Sequence, residues 1–292
     1  ETRFEGNNGH NLGPKTVTIT VLKVELKVTH PQDPGPTGSH AKYSDDPSIG
    51  SADNLFGTWD NEQFRIDVKI EPASFASSLP AGFVTWSAAG FTIPDNTTSY
   101  TFAWSAAGST KEVTVNFPLC GITKKVKVDV PDVGPILQGE AAGWIPAIAA
   151  AALANYASQA LTYGNTFTFA KRDAMQHAYW NALGASSLLV GANNTHLVTT
   201  GHERNNKLGL DLNGNPSPWG KAWAFESTMD LFNNSVGLGV VHTTLTGTPD
   251  KPSIQNDLNT LYNGGGLWIW DGSGDKDVSD GVVLKSNGAK IY

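Results

Sequence analysis

Apolar and polar residues alternate with a period of two through most of the first 130 positions of the chain. In the first run, residues 17–28, the phase slips between Val21 and Leu22, which predicts a bulge or a change of sheet. Further runs, each bounded by Gly, Pro, Asn or Ser, lie at residues 64–70, 83–86, 100–104, 113–117 and 126–130. Six or seven short strands separated by turn signals predict an immunoglobulin-like β-sandwich over residues 1–134. The Cys–Trp–Cys hallmark of antibody domains is absent, so the analogy concerns the fold class alone.

One long segment interrupts the strand pattern. Residues 30–63 are rich in Pro, Gly, Ser and Asp, and they contain Tyr43, Phe56 and Trp59. A loop of this length inside a compact domain is unusual and is often functional. The other interpretation, which we favour, is that the segment wraps the edge of the sandwich and buries its aromatic rings.

The periodicity becomes helical after the Pro-Asp-Val-Gly-Pro sequence at residues 131–135, which predicts a domain boundary there. Helices are predicted at residues 146–161, 172–189, 196–208 and 218–236, with a loop at 209–217. From residue 264 the pattern is β-like again, but the sequence does not indicate which half this tail joins. The overall prediction is an α+β multidomain chain with a sandwich at 1–134, a helical domain at 135–263 and a β-like tail at 264–292.

Composition favours an extracytoplasmic protein. Charged residues make up only 16% of the chain, and small polar residues are abundant, as is typical of β-rich surface proteins. The sequence begins at Glu1 and not at Met, for which a cleaved signal peptide is the natural explanation. The single cysteine, Cys120, excludes an intramolecular disulfide but not export. We therefore expect a secreted or cell-surface location.

Charge and hydropathy exclude two classes of partner. The formal net charge is −7 and no cluster of Lys and Arg occurs, so nucleic acid is not an expected partner. The longest apolar stretch, residues 141–161, is mostly Ala and contains Pro146, Asn155 and Ser158. This stretch predicts a packed helix and no membrane span.

The strongest candidate chemistry lies in three polar stretches of the helical half, at residues 172–181, 201–206 and 229–237. Residues three or four apart share one face of a helix, so Asp173, His177 and Asn181 form one stripe. On the fourth predicted helix, a second stripe consists of Glu226, Asp230, Asn233 and Asn234. Facing helices can bring such side chains into one cluster. The candidate catalytic residues are His177, His202, Glu203, Asp230, Asn233 and Asn234.

An imidazole beside carboxylates suits two kinds of water activation. The carboxylate raises the basicity of the histidine for general-base catalysis, and the same groups suit a divalent metal ion as cofactor. Asn206 stands where a His-Glu-x-x-His metalloprotease motif requires its second histidine. No cysteine, nucleophile elbow or phosphate-binding glycine loop is present in this half. A hydrolase with an unknown substrate therefore remains, beside the alternative of a buried hydrogen-bond network that fixes helix packing.

The three stretches resemble an uncharacterised bacterial helical domain of secreted and toxin-like proteins. Its pattern is Asp-Ala-x-x-His-Ala-x-Trp, then His-Glu, then Met-Asp-x-x-Asn-Asn-x-x-Gly. The matching positions here are Asp173-Ala174, His177-Ala178, Trp180, His202-Glu203, Met229-Asp230, Asn233-Asn234 and Gly237. The resemblance covers residues 170–240 and implies that these groups act as one unit, without implying an activity.

Two weaker signals lie elsewhere. Asp271, Asp275 and Asp277 place oxygen atoms at alternate positions, as a calcium loop does, but the central Gly and terminal Glu of an EF-hand are missing. A polar hairpin turn is the favoured interpretation of this segment. The β-rich front and the unplaced strands also suit a non-enzymatic, adhesive surface protein that associates with itself through strand addition.

Overall fold

The computed structural model describes residues 22–29, 55–211, 213–218, 221–222, 224–270 and 283–287. A β-rich N-terminal region is followed by a helical region and by a short β tail, so the α+β prediction holds at this level. The phase slip at residues 21–22 and the candidate metal ligands Asp271, Asp275 and Asp277 lie wholly or partly outside the described residues.

The strands form two sheets. The elements are β1 (Lys23–Thr29), β2 (Leu55–Gly57), β3 (Phe64–Glu71), β4 (Thr85–Ala88), β5 (Ser99–Phe102), β6 (Ser109–Phe117), β7 (Ile122–Val130), β8 (Trp268–Trp270) and β9 (Val283–Lys285). The smaller sheet has the order β1-β3-β5 and is antiparallel. The larger sheet has the order β4-β6-β7-β2-β9-β8, in which β2 and β7 are parallel.

Both sheets contribute to one apolar core. Phe64 and Ile66 from the smaller sheet and Val113 and Val128 from the larger one are fully buried in the same cluster. The alternation seen in the sequence places these residues on one face of each strand, which removes their apolar surface from water. The region thus contains two sheets that share one apolar core, and the immunoglobulin-like topology stays a prediction.

Residues 55–63 show what part of the long irregular segment does. Here the chain forms the short strand β2 where only loop was expected, and the Phe56 and Trp59 side chains are fully buried. The burial of these two rings agrees with the favoured interpretation of the segment. Tyr43 lies outside the described residues.

Seven helices occur in the described part of the chain. They are α1 (Ala73–Ala76), α2 (Gln138–Trp144), α3 (Ala147–Gly164), α4 (Phe169–Ala185), α5 (Gly191–Leu208), α6 (Ala224–Gly239) and α7 (Lys251–Asn263). The four predicted helices correspond to α3–α6 with shifted ends, whereas α1, α2 and α7 were not predicted. Among the described residues, no helix combines the length and apolar character that a membrane crossing requires.

The C-terminal tail joins both halves of the protein. Its strands β8 and β9 pair with each other, and Val283 of β9 pairs with Leu55 of β2, so the tail extends the larger sheet. The Trp268 ring of β8 stacks on Phe232 of α6 with centroids 3.9 Å apart. The tail therefore holds α6 against the sheet.

Helix α6 is also fixed directly to the β-rich region. Thr228 donates a hydrogen bond of 3.0 Å from Oγ1 to Oδ2 of Asp129 on β7. Met229, the next residue, is fully buried in the core that the two sheets form. The Trp59 indole N–H donates to the carbonyl oxygen of Ala222, just before α6. These contacts set the position of the helix that carries Asp230 and Asn234.

Candidate functional site

Glycine allows α4 and α6 to approach each other closely beside the polar cluster. A Cβ atom at position 237 on α6 would lie 2.8 Å from the carbonyl carbon of Ala178 on α4, and it would overlap the carbonyl oxygen. A similar conflict with Thr195 of α5 would arise at Gly184 of α4. Because no larger residue fits, these glycines let side chains of the three helices meet across short distances.

His177 of α4 lies at the centre of the cluster. Its Nδ1 atom is 3.7 Å from Oε1 of Glu203 on α5. Its Nε2 atom is 3.5 Å from Oδ1 of Asp230 on α6 and 3.8 Å from Oδ1 of Asp173, one turn earlier on α4. The His177 side chain is 11% exposed and that of Asp173 is 34% exposed, so the Nε2 side of the ring is the side nearer to solvent.

A chain of hydrogen bonds determines which nitrogen of His177 carries the proton. Thr199 Oγ1 lies 3.0 Å from Oδ1 of Asn181, and the Asn181 amide nitrogen donates to the carbonyl oxygen of His177 at 2.9 Å. That nitrogen donates to Oδ1 of Asn234 at 2.6 Å, so this oxygen is an acceptor. His177 Nδ1 is 3.1 Å from the same oxygen and must donate to it. In the neutral imidazole, Nε2 therefore bears the lone pair, and this lone pair faces the two aspartates.

Glu203 is fully buried and only partly satisfied. Its Oε2 atom accepts hydrogen bonds from Ser227 at 3.1 Å and from Asn206 at 3.2 Å. Its Oε1 atom, which faces His177, has no hydrogen-bond partner among the described residues. A buried carboxylate oxygen without a donor is costly, so this atom suits a bound water, a proton or a cation.

Asp230 is similarly buried, and its Oδ1 atom also lacks a hydrogen-bond partner among the described residues. Burial raises the pKa of Asp230 well above its usual range, and repulsion from Asp173, Glu203 and Glu226 adds to the shift. Several carboxylates thus share a space in which their charges are poorly solvated. Strongly shifted groups of this kind are concentrated at functional sites.

His202 of α5 lies beside His177 in the cluster. Its Nδ1 atom is 3.1 Å from Oε1 of Gln138 at the start of α2, and its ring centroid lies 6.1 Å from that of His177. The Trp180 ring packs against it edge-on. Burial lowers the pKa of His202, although the neighbouring Glu203 opposes the shift. A neutral imidazole is thus favoured at this position.

A domain of unknown function, DUF6973, covers residues 137–264. This range contains helices α2–α7 and every side chain of the cluster described above. No curated protein and no solved structure matches the chain.

Within the DUF6973 domain, five of the six predicted catalytic residues come together: His177, His202, Glu203, Asp230 and Asn234. The sixth, Asn233, uses its amide elsewhere. Its Nδ2 atom donates to the carbonyl oxygen of Trp268, and its Oδ1 atom accepts from the N–H of the same residue, both at 2.9 Å. These bonds hold β8 on α6. A catalytic role for any of the six stays a prediction.

The cluster around His177 also contains residues that were not among the six predicted catalytic residues. Asp173 and Asn181 were recognised as sharing a helix face with His177 but were not proposed as site residues. Thr199 and Gln138 carried no signal that could have marked them in the sequence. Their roles depend on tertiary contacts between helices, which periodicity does not reveal.

Two overlapping sets of side chains in the DUF6973 domain have the spacing of metal ligands. One consists of Asp173, His177 and Asp230, and the other of His177, His202 and Glu203. In each set one ligand atom per residue lies within 4.8 Å of the others. Because His177 belongs to both sets, the direction of its lone pair distinguishes between them.

Proposed function

We propose that the DUF6973 domain of this protein is a hydrolase that activates water at His177. One observation carries the proposal: the Nε2 lone pair of a neutral His177 faces Oδ1 of Asp230 and Oδ1 of Asp173, at 3.5 and 3.8 Å. Three acceptor atoms that face one another repel unless a proton, a water molecule or a cation lies between them. The arrangement is thus suited to holding one of these species.

Two routes of water activation use this geometry. In the first, Nε2 removes a proton from a water molecule that Asp230 and Asp173 orient, and Glu203 stabilises the resulting imidazolium from the Nδ1 side. In the second, the three acceptor atoms hold a divalent ion that lowers the pKa of a bound water. Both routes deliver hydroxide to an electrophilic carbon or phosphorus atom of the substrate.

The unpaired oxygens favour this proposal over a purely structural network. A network that only fixes helix packing gains most when every buried polar atom has a partner. Here Oδ1 of Asp230 and Oε1 of Glu203 have none among the described residues. Both atoms point towards the His177 ring. An unpaired buried oxygen there lowers the stability of the fold, a cost that a catalytic site explains and a packing network does not.

A substrate panel tests the proposal. Purified protein is incubated with chromogenic carboxylic esters, phosphate monoesters, phosphodiesters, glycosides and peptides, beside the variant His177→Asn. Asparagine keeps a donor near the Nδ1 position but removes Nε2. We expect the wild-type protein to hydrolyse one class and the variant to lose at least about 100-fold in rate. His196→Ala, at an exposed histidine of α5, is the control. Equal rates for wild type and variant, or no hydrolysis of any class, would contradict the proposal.

We also propose a setting for this activity. The low fraction of charged residues supports a secreted or cell-surface protein of bacterial type, in which an immunoglobulin-like β-rich module positions the DUF6973 domain. Fractionation of cells that express the complete gene tests the location. Recovery of the protein only from the cytoplasm would contradict this part of the proposal.

Self-association through strand addition is not favoured at the end of the larger sheet that β8 forms. Asn233 already occupies both polar groups of the Trp268 backbone there. A second chain would have to displace this side chain before it could pair with β8. Size-exclusion chromatography tests for self-association, because a protein that adheres to itself would elute as a species larger than the monomer.

A further inference from the structure

We infer that Asp173, His177 and Asp230 bind one divalent metal ion of the zinc type, through Oδ1, Nε2 and Oδ1. This inference rests on the proposed function, since it names the cofactor of the same site. A catalytic zinc ion usually has three protein ligands and a fourth position for water, and both His nitrogen and Asp oxygen are zinc ligands.

The distances between the ligand atoms suit such an ion. Zinc binds nitrogen and carboxylate oxygen at about 2.0–2.2 Å, so neighbouring ligands of a tetrahedral ion lie about 3.4 Å apart. Nε2 of His177 is 3.5 Å from Oδ1 of Asp230 and 3.8 Å from Oδ1 of Asp173. Both distances are close to this value, and the ligand atoms of the three residues all lie within 4.8 Å of one another.

The direction of the His177 lone pair selects this set over the competing one. Nδ1 donates its proton to Asn234, so it cannot bind a metal at the same time. The atom of His177 that lies near Glu203 is this same Nδ1. The set that contains Glu203 and His202 is therefore excluded as long as the bond to Asn234 is present.

Asn234 and Glu203 instead support the His177 ligand from outside the coordination shell. Histidine ligands usually donate their other N–H to a carboxylate or a carbonyl oxygen, which fixes the ring and raises its basicity. Asn234 accepts this hydrogen bond, and the fully buried Glu203 carboxylate lies 3.7 Å from the same nitrogen. Both groups stabilise positive charge on the opposite side of the ring.

Burial and access also agree with metal binding. The Asp230 side chain is 7% exposed, and its Oδ1 atom has no hydrogen-bond partner among the described residues. This atom is aimed at the same space as Nε2 of His177. Asp173, in contrast, is 34% exposed, so the site is reachable from solvent. An ion would enter on this side and keep a position for water or substrate.

Zinc binding to the complete chain tests the inference. The protein is treated with a chelator, exchanged into chelator-free buffer and titrated with Zn²⁺ by calorimetry, in parallel with thermal unfolding. We expect one ion per chain and a melting temperature that rises with Zn²⁺ concentration. Asp230→Asn and His177→Asn should each weaken binding by at least about 100-fold. His242→Ala, which disrupts the separate His242–Asp257 pair, should bind as the wild type does. Circular dichroism confirms that each variant is folded.

The outcomes separate this inference from the proposed function. Absence of stoichiometric binding, or binding that survives in Asp230→Asn and His177→Asn but is lost in His242→Ala, would overturn the metal site. Hydrolysis that persists after chelation but is lost in His177→Asn would also overturn it while sustaining the hydrolase. Stoichiometric binding lost in both site variants, without turnover of any substrate, would sustain the metal site alone.

Discussion

Asn234 accepts a hydrogen bond from Nδ1 of His177 at 3.1 Å, and its orientation is fixed by a second bond of 2.6 Å from Asn181. One amide on α6 therefore determines the tautomer of an imidazole on α4. The consequence appears on the far side of the ring, where Nε2 is left as an acceptor beside two aspartates. The chemistry that we propose depends on this relationship.

Replacing Asn234 should weaken the site without removing any ligand. In Asn234→Ala, Nδ1 loses its acceptor and the ring is no longer held with Nε2 towards Asp230. We expect zinc affinity to fall by about 10–100-fold, as is typical when an outer partner of a ligand is lost. Calorimetric titration measures the change.

The neighbouring Asn233 provides the matched control. Its amide binds the Trp268 backbone and not His177. Asn233→Ala should therefore lower the free energy of unfolding by about 1–3 kcal/mol, because two backbone groups lose their partner, and leave zinc affinity unchanged. Equal effects of the two variants on affinity would contradict the assigned contacts.

Asp230→Asn should raise the stability of the metal-free protein. The substitution keeps the shape of the side chain but removes a buried charge that Asp173 and Glu203 repel. We expect the free energy of unfolding to increase by about 1–3 kcal/mol while zinc binding is lost. Urea denaturation in the presence of a chelator measures this. A large loss of stability would instead indicate that the carboxylate mainly holds the helices together.

Gly237→Ala tests the close approach of α4 and α6. An added methyl group would overlap the backbone of Ala178, the residue after His177. We expect a loss of about 1–3 kcal/mol in stability and weaker zinc binding, because the helices must separate. Gly239→Ala, where the methyl group would have free space, should change neither quantity appreciably. Thermal unfolding and titration of both variants make the comparison.

Asp129 should make stability depend on pH. Burial raises the pKa of Asp129 in the folded protein, although the hydrogen bond from Thr228 opposes this. The folded state therefore holds the proton more tightly than the unfolded state. The resulting penalty is present above the folded-state pKa and declines as the pH falls towards the usual carboxyl range.

Asp129→Asn removes this penalty while Thr228 keeps a partner. We expect the variant to melt at a higher temperature than the wild type at neutral pH, and the difference to shrink as the solution is acidified. Melting curves between pH 4 and 8 measure it. Asp95→Asn, at an exposed position, is the control. A difference that grows on acidification would contradict the assigned burial.

Local patterns in the sequence identified much of the architecture. The alternating runs predicted β3, β6 and β7 because one face of each strand is buried, and helical periodicity predicted α3–α6. Helix α7 was missed although Ile254 and Leu258 are spaced by one turn and Pro252 marks its start, because polar residues dominate the segment. Strand β2 was also missed, because it has only three residues and pairs with β7 and β9, which are distant in the sequence.

The site was predictable only in part. The four-residue spacing from Asp173 to His177 and the motif pattern identified α4, α5 and α6 as the helices that carry the cluster. Asn233 and Asn234 could not be distinguished, because neighbouring residues on a helix differ by only about 100° in direction. Which of the two faces α4 depends on the close contact of Gly237 with the Ala178 backbone, which fixes the rotation of α6. Such contacts between distant parts of the chain leave no local pattern.

The most direct test of the whole account is a crystal of the zinc-soaked protein, measured at the zinc absorption edge. We predict one strong anomalous peak about 2.0–2.2 Å from Nε2 of His177 and from the Oδ1 atoms of Asp173 and Asp230. A peak at Nδ1 of His177, a peak only at the His242–Asp257 pair, or no peak within the cluster would contradict it.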